Sequence, residues 1–165
     1  AWGVCLMPTL WRITTARFAA TAFSGEGARR YGGRWNPPGC EVVYTAQSPA
    51  LALLELMVQD DPLRARYVLI PVTVPPDLQS TLFTTEQLPA DWRSMERRPH
   101  LQTLGQRWLA QGSTAILQVP SAVLPAESNF LLNPRHADFA RLTIGAPQSL
   151  EVDTRLLRNL AGDSL

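Results

Sequence analysis

The stretch EVVYTAQSPALALLELMVQ, Glu41 to Gln59, changes periodicity halfway along. Its first part, Glu41–Ala46, is rich in β-branched and aromatic residues and reads as a strand. Ser48-Pro49 then opens a helix. The serine hydroxyl suits an N-cap, and proline is tolerated at the first helical position because its missing N–H has no bond to lose there. The run ALALLELMVQ is apolar nearly all round, which predicts a buried helix that stops near Asp60-Asp61-Pro62. Glu55 breaks the pattern. A carboxylate among apolar side chains is costly unless it is paired or hydrogen-bonded. Two readings follow. Either Glu55 sits at the helix edge or pairs with an arginine for register, or it lies in a partly dry cleft where its charge stabilises a developing cation. Tyr44 ends the strand that feeds this helix, so the two residues are placed to share one cleft.

Working outward, Thr9–Thr14 reads as a first strand and Ala19–Gly33 as a loop or broken helix. Arg66–Val74 is a strand with apolar residues at 68, 70, 72 and 74, and QSTLF, inside the irregular Asp77–Glu86, is a further short one. Pro99–Gln111 is an amphipathic helix with Leu101, Leu104 and Trp108 on one face and Gly112 as its stop. Thr114–Val119, Asn129–Leu132, Phe139–Ile144 and Leu150–Asp153 complete the strands. Six or seven short strands with two or three helices, not in alternation, predict an α+β fold rather than a doubly wound sheet. The strands are expected to be largely antiparallel, in a single domain covering 1–165.

The composition, 45% hydrophobic and 18% charged, is that of an ordinary globular chain. No run of about 18 apolar residues is present to span a membrane. The opening AWGVCLMPTLW lacks a basic n-region and a small-residue cleavage site, so no signal peptide is read there, and a native start near Met7 is expected. A net charge of +1 is too small to argue for nucleic acid, and all fifteen basic residues are arginine. Cys5 and Cys40 form neither a disulfide framework nor a metal set; reduced thiols in a cytoplasmic protein, with no metal, are expected.

Just before the strand–helix unit lies GARRYGGRWNPPG, Gly27 to Gly39. Gly27 and Gly32 have P-loop spacing, but Gly33, Arg34 and Trp35 follow where that loop needs lysine and Ser/Thr. Asn36-Pro37-Pro38 cannot open a phosphate-cradling helix. The dinucleotide fingerprint fails as well, because Gly25 and Gly27 are followed by Arg30. A surface loop of solvated arginines is the simple reading. Against it, Arg34 lies between a glycine that permits close approach and a tryptophan that screens water, which favours an inward guanidinium. Arg93, Arg97 and Arg98 read as a solvated face. Ser121, polar in the apolar QVPSAVLP, is either a turn residue or a site residue. It has no nucleophile elbow around it, and nothing brings it to His136 and Asp138, so a hydrolytic triad is not expected.

Several segments together resemble the RES domain, the toxin half of RES–Xre toxin–antitoxin modules. They are Leu10-Trp11-Arg12-Ile13, the block Gly32–Gly39, Val42-Val43-Tyr44-Thr45-Ala46, Ser48–Glu55, Val119-Pro120-Ser121 and Ser128–Pro134. The resemblance covers about residues 8–144, and Arg34, Glu55 and Ser121 match the three residues that name the family. It implies an ADP-ribosyltransferase-like fold and cleavage of the nicotinamide–ribose bond of NAD+ as substrate, with ADP-ribose passed to water, phosphate or a protein side chain. Glu55 is then the group that stabilises the oxocarbenium-like ribose. Arg34 and Arg12 are candidates to grip the pyrophosphate, and which of them is the principal arginine stays open. Tyr31 and Tyr44 would orient the nicotinamide ring, and Ser121 would fix its ribose or amide. The implied partner is an Xre-type helix-turn-helix antitoxin that occludes the active site, so that DNA is met only through it. The rival reading is a non-catalytic module acting through antitoxin or ligand binding alone; the joint presence of Arg34, Tyr44, Glu55 and Ser121 weighs against it.

Overall fold

A computed structural model of the chain describes residues 8–59 and 65–157. The expectations for Cys5, for a start at Met7 and for a helix stop at Asp60-Asp61-Pro62 lie outside the described residues. The strands are β1 (Thr9–Thr15), β2 (Val43–Ala46), β3 (Tyr67–Thr73), β4 (Ser80–Leu82), β5 (Ile116–Pro120), β6 (Ser128–Leu132), β7 (Thr143–Ile144) and β8 (Gln148–Leu150). The helices are α1 (Glu26–Tyr31), α2 (Pro49–Gln59) and α3 (Arg98–Gln111), with 3-10 turns at Ala16–Thr21, Thr85–Gln87, Ala137–Arg141 and Thr154–Leu157. All strands join one sheet in the order β4-β5-β6-β2-β1-β3-β7, with β8 also pairing β3. Every pairing is antiparallel except β4 with β5. This is the α+β arrangement the pattern of elements predicts.

The sheet is not evenly zipped. β1 and β3 pair along their whole length, from Thr9↔Thr73 to Thr15↔Tyr67. β1 and β2 meet only at Trp11↔Ala46. The sheet therefore splays open between β1 and β2, and the exposed backbone there needs other partners.

Alternation along the strands fills both faces. Leu117, Val119 and Leu131 point to one side, where Trp35, Trp92, Leu101 and Trp108 cover them. Ile116, Leu132, Val43, Leu10 and Val72 point to the other, under Phe23 and Phe139. Each such fully buried side chain contributes roughly 1.5–3 kcal/mol. The Trp108 indole N–H donates to Thr114 Oγ1 at 3.0 Å, so its polar edge is satisfied. Gly105 lies against the backbone of Trp35, and the Cβ of any other residue would overlap the Trp35 carbonyl.

Two expectations are corrected. Helix α2 is not buried all round: Leu51 and Ala52 pack on Ala46, Trp11 and Ile13, whereas Leu54 and Val58 are 38% and 62% exposed. The helix lies on the rim of the splayed sheet and offers it one face only. The segment Phe139–Ile144 is mostly a 3-10 turn rather than a strand. His136 caps that turn, its Nδ1 accepting the Asp138 N–H at 3.0 Å, and only Thr143–Ile144 reaches the sheet.

Candidate active site

Glu55 is oriented from its own helix outward. Ser48 Oγ accepts the N–H of Leu51 at 3.1 Å, which caps α2. The same hydroxyl donates to Glu127 Oε2 at 2.7 Å, tying the helix start to the β5–β6 connection. Leu51 and Ala52 then bury the face that Glu55 continues one turn later. At the end of β5 Ser121 is 0% exposed. Its hydroxyl accepts the N–H groups of Val123 at 3.1 Å and Leu124 at 3.0 Å and donates to Glu55 Oε1 at 2.8 Å. From β6, Asn129 Nδ2 donates to the same Oε1 at 2.5 Å. The carboxylate is thus satisfied by neutral donors, and it forms no ion pair with any described residue.

Arg12 faces Glu55 across the opening between β1 and β2. One cleft, with a volume of about 90 Å³, is lined by Arg12, Tyr44, Glu55 and Asn129 together with Trp11 and Gln59. Arg12 Nη1 donates to the Tyr44 carbonyl at 2.8 Å, bridging the gap where the ladder is missing. Its Nε is buried without a hydrogen-bond partner. Burial draws the guanidinium down from its ordinary range to about 10, and it stays cationic at neutral pH.

Arg34 approaches from the other side. Its Nη1 donates to the Arg93 carbonyl at 3.1 Å and more weakly to that of Trp92 at 3.5 Å. Partial burial lowers its pKa; the Glu55 carboxylate opposes that, and Arg98 and Arg93 add to it. Arg34 therefore lies within the field of Glu55 and near two further guanidiniums. Arg93 and Arg98 are thus part of the site's surroundings rather than only a solvated face, while Arg97 pairs with Asp91 on the surface. The carrier loop is bolted from within. The Tyr44 hydroxyl donates to Asn36 Oδ1 at 2.7 Å and accepts the Trp35 N–H at 3.1 Å. Asn36 Nδ2 donates to the carbonyls of Ala28 at 2.9 Å and Pro37 at 3.0 Å. A Cβ at Gly33 would stand 2.5 Å from the Tyr44 hydroxyl, so this position has room only for glycine. Burial pushes the Tyr44 phenol above its ordinary range, and it stays neutral.

The structure thus gathers Arg12, Tyr44 and Glu55 around one cleft, with Arg34 within reach of the Glu55 charge. Ser121 stands behind Glu55, its hydroxyl spent on the carboxylate and on two backbone amides. Tyr31 is apart: it ends the surface helix α1 and is 80% exposed. Arg29 and Arg30, the other arginines of the glycine-rich stretch, pair with Glu26 on that surface. Asn129 was not among the sequence candidates; the signal for it is a polar side chain beside Ser128 at the head of an otherwise apolar strand. His136 is structural, with Nδ1 accepting the Asp138 N–H and Nε2 3.0 Å from the Gly112 carbonyl. Among the described residues no group of His, Cys, Asp and Glu is placed to hold a metal ion.

A splayed α+β sheet with a carboxylate and an arginine in its opening is an ADP-ribosyltransferase-like architecture. The sequence profile of the RES domain matches residues 9–153, and the chain belongs to that family. It is 37% identical over 150 residues to Toxin Res of Yersinia enterocolitica, covering 89% of this chain and 98% of that protein. It is 35% identical over 156 residues to the Prs ADP-ribosylating toxin of a Sphingobium species, covering 91% and 97%. It also resembles MbcT of Mycobacterium tuberculosis. A stretch of 50 residues, 28% of this chain and 27% of that protein, is 44% identical to NAD(+) phosphorylase MbcT. A chain in the crystal structure of the M. tuberculosis MbcT–MbcA toxin–antitoxin complex superposes with a TM-score of 0.74 at 26% identity, over 93% of this chain and 88% of that one.

Proposed function

We propose that this chain is the toxin of a bacterial toxin–antitoxin pair, a single catalytic domain that breaks the nicotinamide–ribose bond of NAD+ and passes ADP-ribose to an acceptor. The observation that carries this reading is the arrangement of Glu55: its carboxyl group, held by neutral donors, faces a cleft that also holds a buried cation. When the C1′–N bond breaks, its electron pair leaves with neutral nicotinamide and positive charge builds on the ribose. A carboxylate fixed in a partly dry cleft stabilises that cation without reorganising. Arg12 and Arg34 supply the opposite sign for the pyrophosphate, whose oxygens suit the planar guanidinium fork. Tyr44 acts through its ring and by holding the loop, because its hydroxyl is spent on Asn36 and Trp35. A nucleophile then bonds to C1′ and releases its proton.

Two acceptors are supported by different relatives. The name of the Sphingobium relative favours a protein side chain, and that of MbcT favours inorganic phosphate. The partner we propose is an Xre-type antitoxin that covers the cleft in the cytoplasm, with any DNA contact made by the antitoxin. The test is to incubate the chain with NAD+ and cell lysate and to follow nicotinamide release together with the fate of ADP-ribose. Release that disappears in Glu55→Ala supports the reading. A labelled protein band assigns the protein acceptor, and free ADP-ribose or its 1″-phosphate assigns water or phosphate. An intact, folded chain that releases no nicotinamide refutes the reading and favours a non-catalytic module.

A further inference from the structure

Glu55 Oε1 receives two side-chain donors, and no described residue donates a hydrogen bond to Oε2. The two donors differ in how they are fixed. The Ser121 hydroxyl accepts two backbone N–H groups, from Val123 and Leu124, so both its lone pairs are occupied and its proton has one remaining direction, toward Glu55. Asn129 donates from β6, where its backbone is held on both sides, opposite Ala46 of β2 and opposite Val119 of β5. Ala46 is also the residue at which β2 meets β1. Asn129 is therefore anchored on the strand line that defines the opening itself, and it reports the position of the sheet to the carboxylate carried by α2. Helix α2 has only one face on the sheet and exposes Leu54 and Val58, so its own packing does not fix Glu55.

We infer that Asn129 is a positioning residue for Glu55: by pinning Oε1 to the rigid β6 strand it turns Oε2 toward the cleft, where the ribose cation forms. This rests on the proposed NAD+ chemistry. A hydrogen bond to a charged group is worth about 1.5–3 kcal/mol, so losing the bond in Asn129→Ala is expected to lower kcat roughly 10- to 100-fold. KM for NAD+ is expected to stay within about twofold, because the lost interaction acts on the transition state rather than on uniform binding. Asn129→Asp keeps the shape but replaces the donor with a second carboxylate, and it is expected to lose more activity than Asn129→Ala. A role in packing alone predicts the reverse order.

The decisive experiment measures kcat and KM of Asn129→Ala and Asn129→Asp by nicotinamide release and runs a double-mutant cycle with Glu55→Ala, read by thermal melting of the full chain. The melting-temperature shifts of Glu55→Ala and Asn129→Ala are expected not to add in the double variant. An active wild type with additive melting-temperature shifts, or with a KM effect in Asn129→Ala equal to its kcat effect, overturns the inference about Asn129 and leaves the proposed function standing. A folded wild-type chain that releases no nicotinamide overturns both.

Discussion

Replacing Arg12 by methionine is expected to make the protein more stable and inactive. The guanidinium sits at about 10, well below its ordinary range, because burial disfavours its charge. At about 1.4 kcal/mol per pH unit, keeping that charge in the folded state costs about 3 kcal/mol at neutral pH. Methionine has similar length and no charge to desolvate. The substitution leaves the Tyr44 carbonyl without its 2.8 Å partner, which returns about 1 kcal/mol of the gain. A net stabilisation of about 1–2 kcal/mol corresponds to a rise in Tm of about 2–8 °C for a chain of this size. The assay is a thermal melt of both proteins at pH 7, with and without NAD+. NAD+ is expected to raise the Tm of wild type and to leave that of Arg12→Met unchanged, because an anionic ligand supplies the partner the fold withholds. The sign of the pH dependence follows from the lowered pKa. Below about pH 10 the folded state carries the full cost of the charge. Above it the folded state sheds the proton before the unfolded state does, so the advantage of Arg12→Met should shrink as pH rises above about 10. A variant that melts at or below the wild-type temperature at pH 7 would refute the reasoning and make Arg12 a strut of the sheet opening.

Tyr44→Phe keeps the ring but orphans the Trp35 N–H and Asn36 Oδ1; at about 1–3 kcal/mol for each buried group, a loss of about 2–6 kcal/mol is expected, read as a lower urea midpoint. Because the Tyr44 pKa is raised, the stability tied to its protonated form is complete below the unfolded value near 10 and declines at higher pH; an alkaline melt series should show that decline in wild type and less of it in Tyr44→Phe. Gly105→Ala drives a Cβ into the Trp35 carbonyl, so α3 or the Arg34 loop must move; a destabilisation of about 3 kcal/mol or more is expected, and a melt within a degree of wild type would show that the helix has slack. Glu55→Ala and Arg34→Ala are expected to abolish NAD+ turnover with the fold retained; a collapsed melt for either would make that residue structural.

Much of the fold was legible because its signals are local. The Ser48-Pro49 start of α2, the alternation of β3 and the Gly112 stop of α3 each lie within a few residues of the feature they set. The segment near Phe139 was misread because its apolar residues suit a strand, whereas the decisive contact is the His136 ring on the Asp138 N–H. The surface exposure of Leu54 and Val58 could not be seen in α2 itself, since it depends on the sheet being splayed beneath the helix. In the site, residue types were legible and roles were not. Ser121 and Asn129 lie 66 and 74 residues from Glu55 in the chain, and only the β5–β6 hairpin, packed beside β2, brings their donors to one oxygen. Tyr31 stands next to the glycines that place Arg34, yet the short helix α1 carries it to the surface; sequence proximity to a site residue says little when a helix boundary lies between them.

The arrangement of the two opposite charges is the feature that most needs explaining. Arg12 and Glu55 line the same cleft, and pairing them directly would relieve the desolvation of both. Instead each is held by a neutral partner, the Tyr44 carbonyl for Arg12 and the Ser121 and Asn129 donors for Glu55. A structural ion pair would be spent within the fold, and a ligand would have to break it. Charges kept apart remain available to a molecule that brings a complement to both, an anionic pyrophosphate at one end and a ribose that becomes cationic at the other. The cost is carried by the free protein, in the buried Arg12 charge and its unpartnered Nε, and the proposed function has an anionic ligand relieve it. The proposed function therefore sets stability against activity at Arg12, whereas it aligns them at Ser121 and Asn129, whose donors are already spent on Glu55.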